Sequence, residues 1–239
     1  MLIHEGDERS VEVDVRLASV LAGVAGAVNA AGFHAVGYYS ANMTGNVSAL
    51  SDYIANGNFR LALLYASIVI AFIFGAWSSS LMINYGRRRG VKAVYAFSIL
   101  TEGILLCLLG LADLFLPGVH RSVILILGLS YLMGLQNASA TRISNARVRT
   151  THVSGMATDM GIELATLFDV KRGAEPEGEW PANRSRLRLH AMTIAAFILG
   201  GIAGVLLYQS VSGALLVGAA ILLTSIAVPE IFRARRRRP

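Results

Sequence analysis

Charge is scarce in this chain, and cysteine almost absent. Charged residues make up 15% of 239 positions, against 54% hydrophobic, and mean hydropathy is +0.57. An ordinary soluble domain carries about 25% charged residues, so this balance argues against one. A single cysteine, Cys107, excludes an intrachain disulfide framework and a cysteine zinc cluster. Set in an apolar run, it reads as a small buried hydrophobe. Gly-x-Ser-x-Gly, the Walker lysine loop and His-Glu-x-x-His are all missing, and no Cys/His spacing suits a metal. The sequence therefore points to no enzyme, no metal and no cofactor. A basic start is missing too: Glu5, Asp7, Glu8, Glu12 and Asp14 crowd the first sixteen residues. A cleavable signal needs the opposite, so residues 1–16 read as a frayed acidic cytosolic tail.

What is present is long uncharged runs. Twenty-six residues separate Arg60 from Arg87 without a charge, twenty separate Arg121 from Arg142, and forty-one separate Arg188 from Glu230. A helix needs roughly 20 apolar residues to cross a bilayer core of about 30 Å. The longest run is then two helices joined at the polar stretch 209–213. Six segments read as spans: 17–38, 61–85, 91–115, 122–141, 189–208 and 211–228. Two shorter ones, 44–58 and 154–169, are too short for an ordinary crossing. Lys and Arg favour the cytoplasmic side of short loops. With six spans and both termini inside, nineteen of the 21 Lys and Arg residues fall inside and only Arg60 and Arg121 outside. Seven spans would give 17 to 4, and eight 14 to 7. The six-span count is preferred.

Three signposts recur in the same order. Gly26-Ala-Val-Asn29-Ala30 is echoed by Gly134-Leu-Gln-Asn137-Ala138. The polar break Asn42-Met-Thr-Gly-Asn46 is echoed by His152-Val-Ser-Gly-Met156. Ala71-Phe-Ile-Phe-Gly75 is echoed by Ala196-Phe-Ile-Leu-Gly200. The expectation is an all-α polytopic membrane protein built from two repeats, residues 17–116 and 117–229, with a cytosolic loop at 170–188 and a basic cytosolic tail at 230–239. Three spans per repeat is an odd number, so the second repeat would run inverted. Each break would then open a short re-entrant or broken helix, and the two would meet near the midplane. Paired polar breaks in corresponding halves are the best sequence pointer to a transport site. Thr44 and Ser154 are the expected N-caps, and Gly45 and Gly155 would allow close backbone approach.

These residues carry a resemblance. Gly26 to Ala30, Ser40-Ala-Asn-Met-Thr-Gly-Asn46, Gly134 to Ala138 and Arg149-Thr-Thr-His-Val-Ser-Gly155 are similar to the YoaK-like family of bacterial inner-membrane proteins, a domain of unknown function. The likeness covers residues 17–228. It implies a bacterial inner-membrane location and movement of small molecules. Members often carry Asp where Asn29 stands, so a carboxylate for ion coupling is missing there.

Candidate binding residues are Asn29, Asn42, Thr44, Gly45, Asn46, Asn137, Thr151, His152, Ser154 and Gly155. They offer donors and acceptors without net charge, where burying polar groups in a membrane is costly without a use. The competing reading has them cap helices, and has Asn29 and Asn137 hold helices together. Glu102 falls in mid-span and is the candidate for proton coupling; its alternative is a structural acid. Asp159, Glu163 and Asp52 read as solvated helix faces, and His34 as a simple hydrogen-bonding side chain. Arg142, Arg147 and Arg149 could draw anions or simply set topology. The tail 235–238 suits lipid headgroups better than nucleic acid. Gly75, Gly200, Gly201 and Gly204 read as packing positions. The function expected is a transporter or permease for a small polar or anionic solute. A passive channel for a neutral solute, or a membrane scaffold or sensor subunit, are the alternatives. Expected partners are the lipid bilayer and a small-molecule solute, with self-association left open.

Overall fold

The structure is a computed structural model describing residue 2, residues 10–172 and residues 180–236. Residues 5–8 of the acidic stretch, residues 173–179 of the loop and residues 237–239 of the tail lie outside the described residues. All secondary structure among the described residues is helical: α1 (Val11–Val36), α2 (Met43–Ala55), α3 (Phe59–Arg88), α4 (Val94–Phe115), α5 (Gly118–Ile143), α6 (Val153–Lys171), α7 (Trp180–Val211) and α8 (Ala214–Arg236). The six long helices and two short ones lie on the uncharged runs and the breaks, but α7 begins nine residues before the span expected at 189, inside the expected loop, and α8 runs through residues 230–236 of the expected tail.

Local signals explain most boundaries. Ser10 caps α1, its hydroxyl accepting from Val13 N–H, and Gly37 ends it at φ +80°. Asn58 caps α3 by accepting from Leu61 N–H. Helix α1 thus begins well before the span expected at residue 17, and residues 11–16 are not a frayed tail. Asp14 supplies the reason: it is 2% exposed and its Oδ2 accepts from Arg147 Nε at 2.9 Å. That pair ties the start of α1 to the chain just past the end of α5.

Among the described residues, five helices are long and apolar enough to cross a membrane, over Phe59–Arg88, Val94–Phe115, Gly118–Ile143, Pro181–Val211 and Ala214–Ala234. The protein is a multi-pass membrane protein. Exposed Leu63, Ile70, Ile73 and Phe74 on α3, and Ile198, Leu199, Ile202 and Leu206 on α7, give these helices apolar outer faces. On helices of this length and composition, such apolar faces suit the hydrocarbon of a bilayer. Helix α1 is not among the five. Its apolar side chains, Leu17, Leu21, Val24 and Val28 among them, are buried in the core.

Glycines set how closely the helices cross, and equivalent glycines make equivalent crossings. A methyl group at Gly26 of α1 would sit on the Phe197 carbonyl of α7, and one at Gly134 of α5 would sit on the Phe72 carbonyl of α3. Likewise Gly200 abuts Gly23, while Gly75 abuts the Tyr131 carbonyl. Helices α1 and α7 run parallel, since Gly23 lies at Gly200 and Ala27 at Gly204. Helices α4 and α8 run antiparallel: Gly110 meets Gly213 reciprocally, and Gly103 meets Ala220 and Thr224. At one end of the bundle, Arg121 binds Asp113 Oδ1 through Nε at 2.7 Å and the Tyr208 hydroxyl at 2.9 Å. Tyr208 in turn donates to Asp113 Oδ2 at 2.6 Å. The three side chains lock the ends of α4 and α7 to the start of α5.

Candidate functional site

The two asparagines of the repeated Gly-x-x-Asn-Ala motif do the same work in each half. Asn29 Oδ1 accepts from Ala41 N–H at 2.9 Å and from the Ser40 hydroxyl at 3.5 Å. Asn137 Oδ1 accepts from the Thr151 hydroxyl at 2.9 Å and lies 3.4 Å from the Thr150 hydroxyl. Each asparagine therefore pins the irregular segment that leads into the next short helix. Such a segment has no helical partners of its own, and a buried N–H left unpaired would cost about 1–3 kcal/mol.

The short helices start earlier than the hydroxyls of Thr44 and Ser154 predict. Asn42 caps α2, its Oδ1 accepting from Gly45 N–H at 3.2 Å, and His152 holds the cap position of α6 without a side-chain cap bond. Thr44 and Ser154 stand one position inside the first turn. An amide oxygen reaches the third helical N–H as well as a hydroxyl does, so Asn42 takes the cap. The glycines follow from this. A Cβ at Gly45 would meet the Asn42 amide, and one at Gly155 the His152 ring. Both glycines make room for the residue three positions before them.

Both breaks open on one cleft of about 820 Å³. Asn29, Asn42, Thr44 and Gly45 line it from the first half, and Asn137, Thr151, His152 and Ser154 from the second. Eight of the ten sequence-predicted residues thus share one surface. The other two do not reach it. Asn46 is buried and donates through Nδ2 to the Tyr39 carbonyl, bracing the turn, and Gly155 lies behind His152. The walls include Phe72 and Phe197, one from each Ala-Phe-Ile-x-Gly run, which sequence reading took only for their glycines. Among the described residues, Arg149 is the one Lys or Arg on the lining, and the lining includes no carboxylate. Its Nη1 lies 3.3 Å from His152 Nδ1. Arg142 and Arg147 are occupied elsewhere, Arg142 on Asn84 and Arg147 on Asp14. The backbone N–H groups of Thr44, Val153 and Ser154 find no acceptor among the described residues. Free N–H groups at the start of a helix favour negative charge.

Glu102 does not line the cleft. It is 1% exposed on α4, and its Oε1 accepts from Gln136 Nε2 at 2.9 Å. Its Oε2 has no hydrogen-bond partner among the described residues. Gln136, fully buried, is a residue that sequence reading passed over, although it sits inside the repeated motif where the first half has Val28. Glu163 corrects a second expectation: it is 5% exposed, not solvated, because His190 of α7 meets its carboxylate at 3.1 Å. Asp159 one turn earlier is exposed, as expected. Asp52 is exposed as well, and Asn56 donates to it. His34 meets Tyr208 edge-on.

A family model described as a protein of unknown function, DUF1275, matches residues 17–228, and the chain belongs to that family. No curated protein and no solved structure matches it.

Proposed function

We infer that this DUF1275 protein is a membrane transporter or permease for a small polar solute, an anionic one best, held in the cleft between the two breaks. One observation carries the reading. Two helix starts from separate halves of the chain converge on a single cleft whose lining, among the described residues, holds one guanidinium and no carboxylate. Its volume falls in the range of about 300–1,000 Å³ usual for small-molecule sites. Arg149 and the free N–H groups suit negative charge, the amides of Asn29, Asn42 and Asn137 suit oxygen atoms, and Phe72 and Phe197 suit an apolar flank.

The architecture behind the reading is a pair of inverted three-span repeats, with α1 as the sixth span. Several observations support it. Helix α1 runs parallel to α7 over residues 23–30, so it accompanies α7 through the bilayer. The Asp14–Arg147 pair joins the start of α1 to the end of α5, so these two equivalent helices run in opposite directions. The α4 and α8 pair crosses through reciprocal glycines. In such transporters the substrate sits at the repeat interface, between discontinuous helices.

Thermal shift of the purified protein against a panel of small carboxylates, phosphates and size-matched neutral and cationic solutes tests this. At least one anion should stabilise the parent, and Arg149→Gln should abolish that shift. Stabilisation by cations alone, or an anion shift that survives Arg149→Gln, would overturn the anionic reading.

A further inference from the structure

The duplication fails at one buried layer, and there the second half carries a polar chain that the first half lacks. Gln136 occupies the place of Val28, and both are 0% exposed. Packing alone is satisfied by an apolar side chain, as Val28 demonstrates. A buried amide costs free energy unless each of its atoms finds a partner. Gln136 finds one at each end. Its Nε2 donates to Glu102 Oε1 at 2.9 Å, and its Oε1 accepts from the Thr150 hydroxyl at 3.3 Å. Thr150 lies beside Asn137, which holds Thr151 at the lip of the cleft. A continuous run of side chains therefore joins a buried carboxyl on α4 to the segment entering α6.

We propose that Gln136 is the positioning residue of a proton-operated latch, which ties the protonation of Glu102 to the hold on residues 144–152 and so to the α6 side of the cleft. The latch rests on reading the cleft as a solute site and adds the group that sets its state. Its logic is donor and acceptor count. A carboxylate accepts only, so it fixes the Gln136 amide with Nε2 toward Glu102 and Oε1 toward Thr150. A proton arriving from water on Oε2 finds no acceptor among the described residues. On Oε1 it faces Gln136. That oxygen then donates, and the Gln136 amide turns over to accept. Nε2 now points at Thr150, whose hydroxyl accepts and turns its own O–H to donate to Asn137 Oδ1, which also accepts from Thr151. Nothing covalent changes beyond the one O–H bond formed on Glu102.

Among the described residues, Gln136 is the one hydrogen-bond partner of this carboxyl. The elements packed on this stretch of α4 bring Ser79 from α3, Ser139 and Gln136 from α5, and Thr224 from α8. Of the arginines on those helices, Arg87 pairs with the Tyr95 hydroxyl, Arg142 with Asn84, Arg121 with Asp113 and Arg233 with Glu230, while Arg60, Arg88 and Arg236 are exposed near the helix ends. The first half provides an internal control, because Ser40 reaches Asn29 with Val28, not an amide, behind it.

Hydrogen–deuterium exchange of the full chain in nanodiscs, on either side of neutrality and with the intrinsic pH effect divided out, tests the latch without a solute. In the parent, protection over residues 144–152 should change several-fold with pH while residues 38–42 stay constant. Glu102→Gln and Gln136→Leu should each remove the change. Should Gln136→Leu fail to fold, Thr150→Val should remove it and Thr150→Ser keep it. A parent without pH dependence, an equal change in residues 38–42, or pH dependence surviving in Gln136→Leu or Thr150→Val would overturn the latch. A working latch in a protein that no solute stabilises would instead count against the transport reading alone.

Discussion

At the residue scale, the asparagines matter through what they hold. Asn29→Ala leaves the Ala41 N–H without its acceptor in a buried setting, at a cost of about 1–3 kcal/mol. Asn137→Ala releases Thr151 and should cost less, because a hydroxyl can turn to another acceptor. Both should lower the melting temperature in detergent, Asn29→Ala more, and an unchanged value for Asn29→Ala would contradict the pinning role. The glycines of the breaks give a second prediction. Asn42→Ala removes a helix cap, worth about 1 kcal/mol, and Gly45→Ala displaces the same side chain. The two losses should not add, since each removes one interaction. Additive losses in the double variant would mean that Gly45 serves something other than the cap. The sequence marked Asn42 and Gly45 as candidate binding residues but gave the cap to Thr44. Ser, Thr and Asn all cap helices, and only the backbone path decides which of the adjacent candidates sits at the end.

At the element scale, close crossings rest on matched glycines. Gly26→Val and Gly134→Val would each drive a side chain into backbone of the facing helix, where relief requires the helices to separate. Overpacking of a core costs about 1–3 kcal/mol, and backbone contact should reach the top of that range or beyond. Both variants should lose most monodisperse protein on gel filtration. Gly218→Val, with nothing within 4 Å of an added Cβ, should not. Equal behaviour of all three would contradict the crossings. The end cluster gives another test. Asp113 has a fully buried carboxylate, so Arg121→Ala strands a charge and should cost about 3–5 kcal/mol. A variant as stable as the parent would show that Tyr208 alone suffices. Most elements were legible in the sequence, because hydrophobic runs between arginines mark membrane helices directly. The early start of α1 was not. Its acidic first turn looks like a tail until Arg147, 133 residues away, is seen to pair with Asp14.

At the scale of the whole molecule, the duplicated motifs told which residues would gather, and eight of ten line one cleft. They did not tell which would line the cleft and which would brace the turns beside it. Asn46 and Gly155 lie within the repeated breaks but off the cleft, and Gln136 breaks the pattern yet connects Glu102 to the segment entering α6. Symmetry in a sequence marks the frame, and a departure from it needs the third dimension to be read. The six-span arrangement is open to direct test: in a Cys107→Ser background, Asn56→Cys and Val119→Cys should label from outside intact cells and Lys92→Cys should not. External labelling at Lys92 would contradict it. The central claim, an accessible cleft that selects for negative charge, is tested most directly by thiol modification. Thr44→Cys and Ser154→Cys, in the same background, are treated with anionic and cationic methanethiosulfonates, and each rate is divided by that for a free thiol. The anionic reagent should be favoured at both sites, and Arg149→Gln should remove the preference. A preference for the cationic reagent at either site, or failure of both reagents to reach either cysteine, would contradict the account.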